Sequence, residues 1–292
     1  MPKNRIIPIF IPHAGCPNAC VFCNQRKIAG TVSPPTPEEV KEIVKSEMKK
    51  NDSPCEVAFY GGSFTAIPEH MQNAYLSVVI EFSSRISGVR LSTRPDAMDD
   101  AIALRLKGFG VSTVELGAQS MDDKVLKIAR RGHSAEDTKK SAECVKRNGL
   151  SLVLQIMPGL PGDTPEGAVK TAETVAALRP DAVRVYPVVV VEGTELADMW
   201  RRGEYVPLTP ETAADICAEI AETFAAQGIP VIRMGLNPSE ELSGGAALAG
   251  AYHPAFGEMV KSRVLFKKVE KMLESLGNKG SSAVCTQDKK VD

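Results

Sequence analysis

An α/β fold, an incomplete (βα)6-type TIM-like barrel followed by a C-terminal loop and helix, is predicted by three features of the sequence. Short β-branched runs alternate with longer segments of helical period. The runs are apolar without strict alternation, as in a buried parallel sheet. The notable polar residues recur at the ends of several runs rather than at one point, which favours a barrel over a doubly wound sheet.

The first run, Ile6 to Pro12, reads as a strand, and Pro37 to Lys50 as a helix behind a Thr36 cap. Further strands are expected at Glu56 to Tyr60, Val89 to Thr93, Val111 to Leu116, Leu152 to Met157, Ala182 to Val188 and Val231 to Arg233. Helices are expected over Glu69 to Ser84, Asp99 to Lys107, Asp122 to Ala129, Ala135 to Asn148, Pro165 to Leu178, Glu195 to Arg202 and Pro210 to Gln227. Gly149 and Gly228 stand where helices of this kind end. Residues 1–235 then form the barrel core. Leu236 to Gly257, rich in Gly, Ala, Pro and Ser, reads as a loop across one face, and Glu258 to Leu276 as a last helix, so 236–276 is a C-terminal extension. Residues 277–292 are polar and without period, which predicts a tail lacking structure.

Composition narrows the setting more than the partner. Lys and Arg total 35 against 36 Asp and Glu, so no bulk positive field advertises nucleic acid or membrane. No run approaches the roughly 18 apolar residues needed to span a bilayer, and the N-terminus has no signal-like segment, so no membrane association and a cytoplasmic location are expected. The seven cysteines do not form a disulfide framework. Cys55, Cys144 and Cys217 are scattered and read as small apolar fillers, and Cys285 as a tail thiol.

Cys16, Cys20 and Cys23 are different. They crowd into one loop directly after the first strand, in the order Cys16-Pro-Asn-Ala-Cys20-Val-Phe-Cys23. Three thiolates can bind three corners of a [4Fe–4S] cube and leave the fourth iron open to a small molecule that chelates through an amine and a carboxylate. The alternative is a structural zinc site with His13 as the fourth ligand, in a non-catalytic binding or assembly protein. Phe22 serves either as an apolar wall beside the metal or as plain loop packing.

The spacing C-x-x-x-C-x-Φ-C, followed one βα unit later by Tyr60-Gly61-Gly62-Ser63, resembles the radical S-adenosylmethionine (SAM) superfamily. Ser92-Thr93-Arg94-Pro95-Asp96, Glu115-Leu116-Gly117-Ala118-Gln119-Ser120, Arg131-Gly132-His133-Ser134 and Met157-Pro158-Gly159-Leu160-Pro161 follow in order. Val185-Tyr186-Pro187 and Gly193-Thr194-Glu195-Leu196 complete the series. The succession is similar to the radical SAM domain of the Elongator catalytic-subunit family over residues 6–235, with oxygen-independent coproporphyrinogen oxidases as more distant relatives.

That resemblance implies a [4Fe–4S] cluster on Cys16, Cys20 and Cys23, with SAM as the second cofactor, cleaved reductively by an electron from an external donor. It implies that the Gly61-Gly62 backbone meets the methionine amino group, with Ser63 where relatives often carry Glu, and that Gln119 contacts the SAM ribose or methionine. Arg131 matches the residue that faces the SAM carboxylate, with Arg130 as its rival. Ser92 stands at a position often occupied by a SAM-binding Glu. As bare residues, Gly61-Gly62 is also an ordinary turn, Gln119 a polar strand end, Arg131 a solvated cation and His133 a loop-packing histidine. Arg94, Asp96, Gln155 and Tyr186 are expected to face the barrel mouth, Arg94 pairing with Asp96 or Glu115. RNA is the leading substrate class by the same analogy, with a small molecule such as a tetrapyrrole as the alternative. The sequence offers no counterpart of the family's acetyltransferase domain or of its RNA-engaging segment before the cysteines, so acetyl-CoA-dependent chemistry is not carried over.

Overall fold

The computed structural model describes residues 5–12, 14–17, 20–24, 33–50 and 53–284. Seven strands, β1 (Arg5–Phe10), β2 (Cys55–Tyr60), β3 (Ile86–Thr93), β4 (Val111–Gln119), β5 (Ser151–Ile156), β6 (Ala182–Val185) and β8 (Val231–Met234), form one sheet in the order β1-β2-β3-β4-β5-β6-β8. Every pairing is parallel, and the sheet curls into a half-barrel open between β1 and β8. Between the strands run α1 (Pro37–Lys50), α2 (Glu69–Ile80), α3 (Asp100–Gly108), α4 (Asp123–Ile128), α5 (Ala135–Arg147), α6 (Pro165–Ala177), α7 (Glu195–Arg201) and α8 (Pro210–Ala226); α4 and α7 pack against the loop after β1, and the others cover the outer face of the sheet.

Capping chemistry starts several of these helices where the sequence places them. Thr36 and Glu39 exchange reciprocal bonds at α1, Ser134 and Asp137 form a capping box at α5, and Thr164, Thr194 and Thr209 cap α6, α7 and α8. Gly149 and Gly228 follow α5 and α8 with φ of 71° and 70°.

The strands alternate more than the sequence suggested. Ile7, Ile9, Val57, Phe59, Val89, Leu91, Val114, Leu116, Leu152, Leu154, Val183 and Val185 all pack into the core beneath the helices. The positions between them include Glu56, Tyr60, Arg90, Glu115, Gln155 and Arg184, which face the lumen. The period-two pattern is masked where lumen positions such as Ala58 and Val153 are themselves apolar.

Three segments depart from expectation. The sixth strand ends at Val185, and the chain breaks at Tyr186-Pro187 before β7 (Val189–Val191). The expected loop after Leu236 contains β9 (Ala247–Gly250), which pairs antiparallel with β7 in a separate two-stranded sheet. Val189, Val191 and Leu242 form a small core there, which explains why a segment of small residues is held extended. The last helix, α9 (Phe256–Val284), starts two residues early, runs past Leu276 and packs on α8. Cys55, Cys144 and Cys217 are buried fillers as expected, while His13 and Cys285 lie outside the described residues. No described helix is long and apolar enough to cross a membrane.

Candidate active site

The cysteine loop is fixed to the end of β2 by backbone contacts that leave no space for side chains. Ser63 N–H donates to the Ala14 carbonyl at 2.8 Å, and Ile11 N–H donates to the Tyr60 carbonyl at 2.8 Å. A Cβ on Gly62 would sit on the Ala14 carbonyl and 2.6 Å from Ile11 O, and one on Gly15 would lie 2.7 Å from Ile67 N. Both glycines are therefore required by close approach. Gly61, beside them, has φ of 90°.

Further along, Val21 N–H donates to Ala129 O at 3.2 Å, Leu196 N–H to Val21 O at 2.7 Å, and Asn24 Nδ2 to Glu192 O at 3.1 Å. Phe22 is buried with Val125, Leu160, Val188, Leu196 and Tyr205, and Cys20 and Cys23 lie partly buried against this cluster. Cys16 is exposed at the rim. Three sulfur donors thus share one tethered loop, two of them, Cys20 and Cys23, on an apolar floor with Phe22 as its wall. Among the described residues, no three His, Cys, Asp or Glu side chains are grouped so as to hold a single ion.

Arg131 joins this loop to the end of β4. Its Nη1 donates to Cys20 Sγ at 3.3 Å and its Nη2 to the Gly117 carbonyl at 2.7 Å. It is buried, whereas Arg130 is exposed. Gln119 is also buried and accepts a bond from Gln155 Nε2 at 3.1 Å, with φ of 68°. Cys20, Arg131, Gly117 and Gln119 are therefore one neighbourhood. Ser63 is not turned toward it. It is fully buried, its hydroxyl 3.0 Å from Thr93 Oγ1 and accepting from Arg94 N–H at 3.2 Å, so it ties β2 to β3. Arg94 pairs with Asp96 through two 2.9 Å bonds.

Below the mouth lies a charged network of which the sequence singled out Glu115 and Tyr186 but not Glu56, Arg90 or Arg184. Glu115, 3% exposed, accepts from Arg90 Nη1 at 2.9 Å, from Arg184 Nε at 2.7 Å and from the Tyr60 hydroxyl at 3.2 Å. Arg90 also binds Glu56 at 2.7 Å, and Arg184 reaches the Tyr186 hydroxyl at 3.3 Å. Two arginines face two carboxylates, so the network is charge-balanced. Burial, then the Glu115 charge, pushes the Tyr60 phenol well above its usual range and keeps it protonated. The signal available in sequence was the recurrence of charges at lumen-facing positions of β2, β3, β4 and β6.

A family model described as the radical SAM superfamily matches residues 10–175, more than half of the chain. The chain belongs to the radical SAM superfamily. A second model, described as the radical SAM C-terminal domain, matches residues 180–265 of this radical SAM enzyme. A tRNA uridine(34) acetyltransferase of Methanocaldococcus infernus is 39% identical over 129 residues, covering 43% of this chain and 24% of that protein. Elongator complex protein 3 of Homo sapiens is 26% identical over 205 residues, covering 63% of this chain and 37% of that protein. The archaeal Methanocaldococcus infernus Elp3 structure superposes with a TM-score of 0.73 at 22% identity, covering 90% of this chain and 63% of that one. Coproporphyrinogen III oxidase from Escherichia coli gives 0.58 at 18% identity, covering 78% and 54%. The radical SAM chain thus spans about a quarter of the tRNA uridine(34) acetyltransferase it resembles.

Proposed function

We propose that this radical SAM enzyme holds a [4Fe–4S] cluster on Cys16, Cys20 and Cys23, cleaves SAM reductively, and acts on RNA. The observation that carries the reading is Arg131, which spans Cys20 Sγ and the Gly117 carbonyl beside Gln119. A fixed guanidinium between a sulfur of the cysteine loop and the end of β4 places a positive charge where the three sulfurs and Gln119 meet.

Cys16, Cys20 and Cys23 would hold the cluster, which would supply one-electron reductive cleavage of SAM, its electron drawn from an external reductant. Everything else falls to the chain. Gly61 and Gly62 present bare backbone for a methionine amino group. Arg131 offers its charge to a carboxylate near Cys20, and Gln119 offers its amide to the ribose or methionine. Ser63 acts here by holding the loop in place, its N–H on the Ala14 carbonyl and its hydroxyl engaged with Thr93 and Arg94. Phe22 and its apolar neighbours exclude water from the sulfur side. The charged lumen of Glu115, Arg90 and Arg184 is fixed in place before substrate arrives and suits a polar substrate better than an apolar one.

RNA is supported by the similarity to proteins named tRNA uridine(34) acetyltransferase, the reaction itself being left to this chain's own site. The test compares modified nucleosides of purified tRNA from cells with and without the gene. Loss of one modified nucleoside, restored by the gene but not by a Cys20→Ala form, is expected. Identical nucleoside profiles in both strains would overturn the RNA assignment.

A further inference from the structure

Gln119 has the backbone of a glycine. Its φ of 68° lies in the left-handed region that a non-glycine residue occupies only when its surroundings hold it there. The cause is local. The β4–β5 register breaks between Gly117 and Gln119, leaving Ala118 as the extra residue of a bulge.

Three consecutive carbonyls of this bulge are captured from outside β4. Gly117 O accepts from Arg131 Nη2 at 2.7 Å, Gln119 O accepts from Met157 N–H at 2.8 Å, and Ala118 O, which accepts from Ser120 N–H at 2.9 Å in a tight turn centred on Gln119, lies 3.2 Å from His133 Nε2. A carbonyl oxygen only accepts, so the Ala118 contact places the imidazole proton on Nε2. His133 is 7% exposed, and its Nδ1 is buried without a hydrogen-bond partner. An apolar residue would fill the same space without stranding an acceptor, so packing alone does not account for a histidine here. Its Nε2–H is the one polar service the side chain performs.

We propose that Arg131-Gly132-His133 is a clamp on the β4 bulge, in which His133, through the Ala118 carbonyl, holds Gln119 in its left-handed conformation and thereby sets where its amide stands in the lumen. His133 is a positioning residue. Its consequence for SAM rests on the proposed contact between Gln119 and SAM; its consequence for the backbone does not.

Two readouts on the anaerobically prepared full chain separate these. The first is thermal unfolding without SAM. With His133 present, Gln119→Gly should melt about 2–4 °C above Gln119→Ala, because only glycine occupies the left-handed region without strain. In a His133→Leu background that difference should vanish, since the bulge is released. The second is a titration of SAM onto the cluster-loaded chain. His133→Leu should weaken binding about tenfold, but less than about twofold when Gln119 is already Ala, because the two residues act in series. His133→Gln, which keeps a donor near the Nε2 position, should recover most of the affinity. Should His133→Leu fail to fold, His133→Asn, too short to reach Ala118, makes the same comparison.

A glycine–alanine difference at position 119 unchanged by loss of His133 would overturn the clamp. So would equal losses of SAM affinity in both Gln119 backgrounds. A wild-type chain that loads its cluster yet binds no SAM would instead defeat the proposed function, while the melting comparison still decides the clamp.

Discussion

Arg131 lies 3.3 Å from Cys20 Sγ through one guanidinium nitrogen and 2.7 Å from the Gly117 carbonyl through the other. One buried side chain therefore couples the cysteine loop, which follows β1, to the end of β4. Lysine has a single ammonium and cannot span both partners in this fork geometry. Arg131→Lys is expected to keep its fold and to lose about tenfold or more in SAM affinity, measured by anaerobic titration of the loaded protein. Affinity equal to wild type would show that the fork has no role beyond charge.

Gly62 is expected to be intolerant of any side chain. A Cβ there would press on the Ala14 carbonyl and on Ile11 O at 2.6 Å, both backbone atoms that cannot swing aside. Gly62→Ala should destabilise the chain by about 2 kcal/mol or more and lower the iron bound per chain on reconstitution. Gly108→Ala, at a helical site with nothing within 4 Å, should be neutral or slightly stabilising in the same urea unfolding experiment. Equal behaviour of the two variants would contradict the close-approach argument.

Glu115 balances Arg90 and Arg184 inside the half-barrel. Glu115→Ala leaves two partly buried cations short of a partner and should cost about 3 kcal/mol in urea unfolding. Glu115→Gln should cost less, because its amide oxygen still accepts from one of them. A loss below about 1 kcal/mol for Glu115→Ala would mean that water fills the lumen and replaces the carboxylate.

The network and the cysteine loop were not equally legible. The triplet announces itself, because three thiols in one short loop have few structural uses. The β strands were legible through their helix-facing residues, Ile7, Ile9, Phe59, Leu91 and Leu154 among them. The split of the sixth strand was hidden, since Ala182 to Val191 is one nearly continuous apolar run in which only Pro187 marks the break. β9 was hidden for the opposite reason. Ala247-Leu248-Ala249-Gly250 has no β-branched residue, and only pairing with β7 keeps it extended. Arg90 and Arg184 were passed over because a lone charge within a strand reads as an exposed position until the curl of the sheet turns four strands toward one space. The left-handed Gln119 was invisible in sequence, where only glycine signals that conformation.

His133 predicts a pH dependence of stability. Burial, followed by the charge of Arg131, lowers its imidazole to about 4 from the ordinary 6.5. The unfolded chain therefore takes up a proton below pH 6.5 that the folded chain refuses until about pH 4. Stability from this group is complete above pH 6.5 and falls as the pH drops through that window. Between pH 7 and pH 5 the wild type should lose about 2 kcal/mol more than His133→Gln in urea unfolding. Parallel losses in the two proteins would show that His133 titrates normally.

The central claim is that Cys16, Cys20 and Cys23 carry a cluster that cleaves SAM, and release of 5′-deoxyadenosine tests it most directly. The anaerobically reconstituted chain, given SAM and dithionite, should form 5′-deoxyadenosine and methionine in equal amounts. Cys16→Ala, Cys20→Ala and Cys23→Ala should each abolish both products, and Cys144→Ala, on the buried face of α5, should leave them intact. A fully loaded cluster that releases no 5′-deoxyadenosine, or cleavage that survives loss of Cys20, would contradict the account.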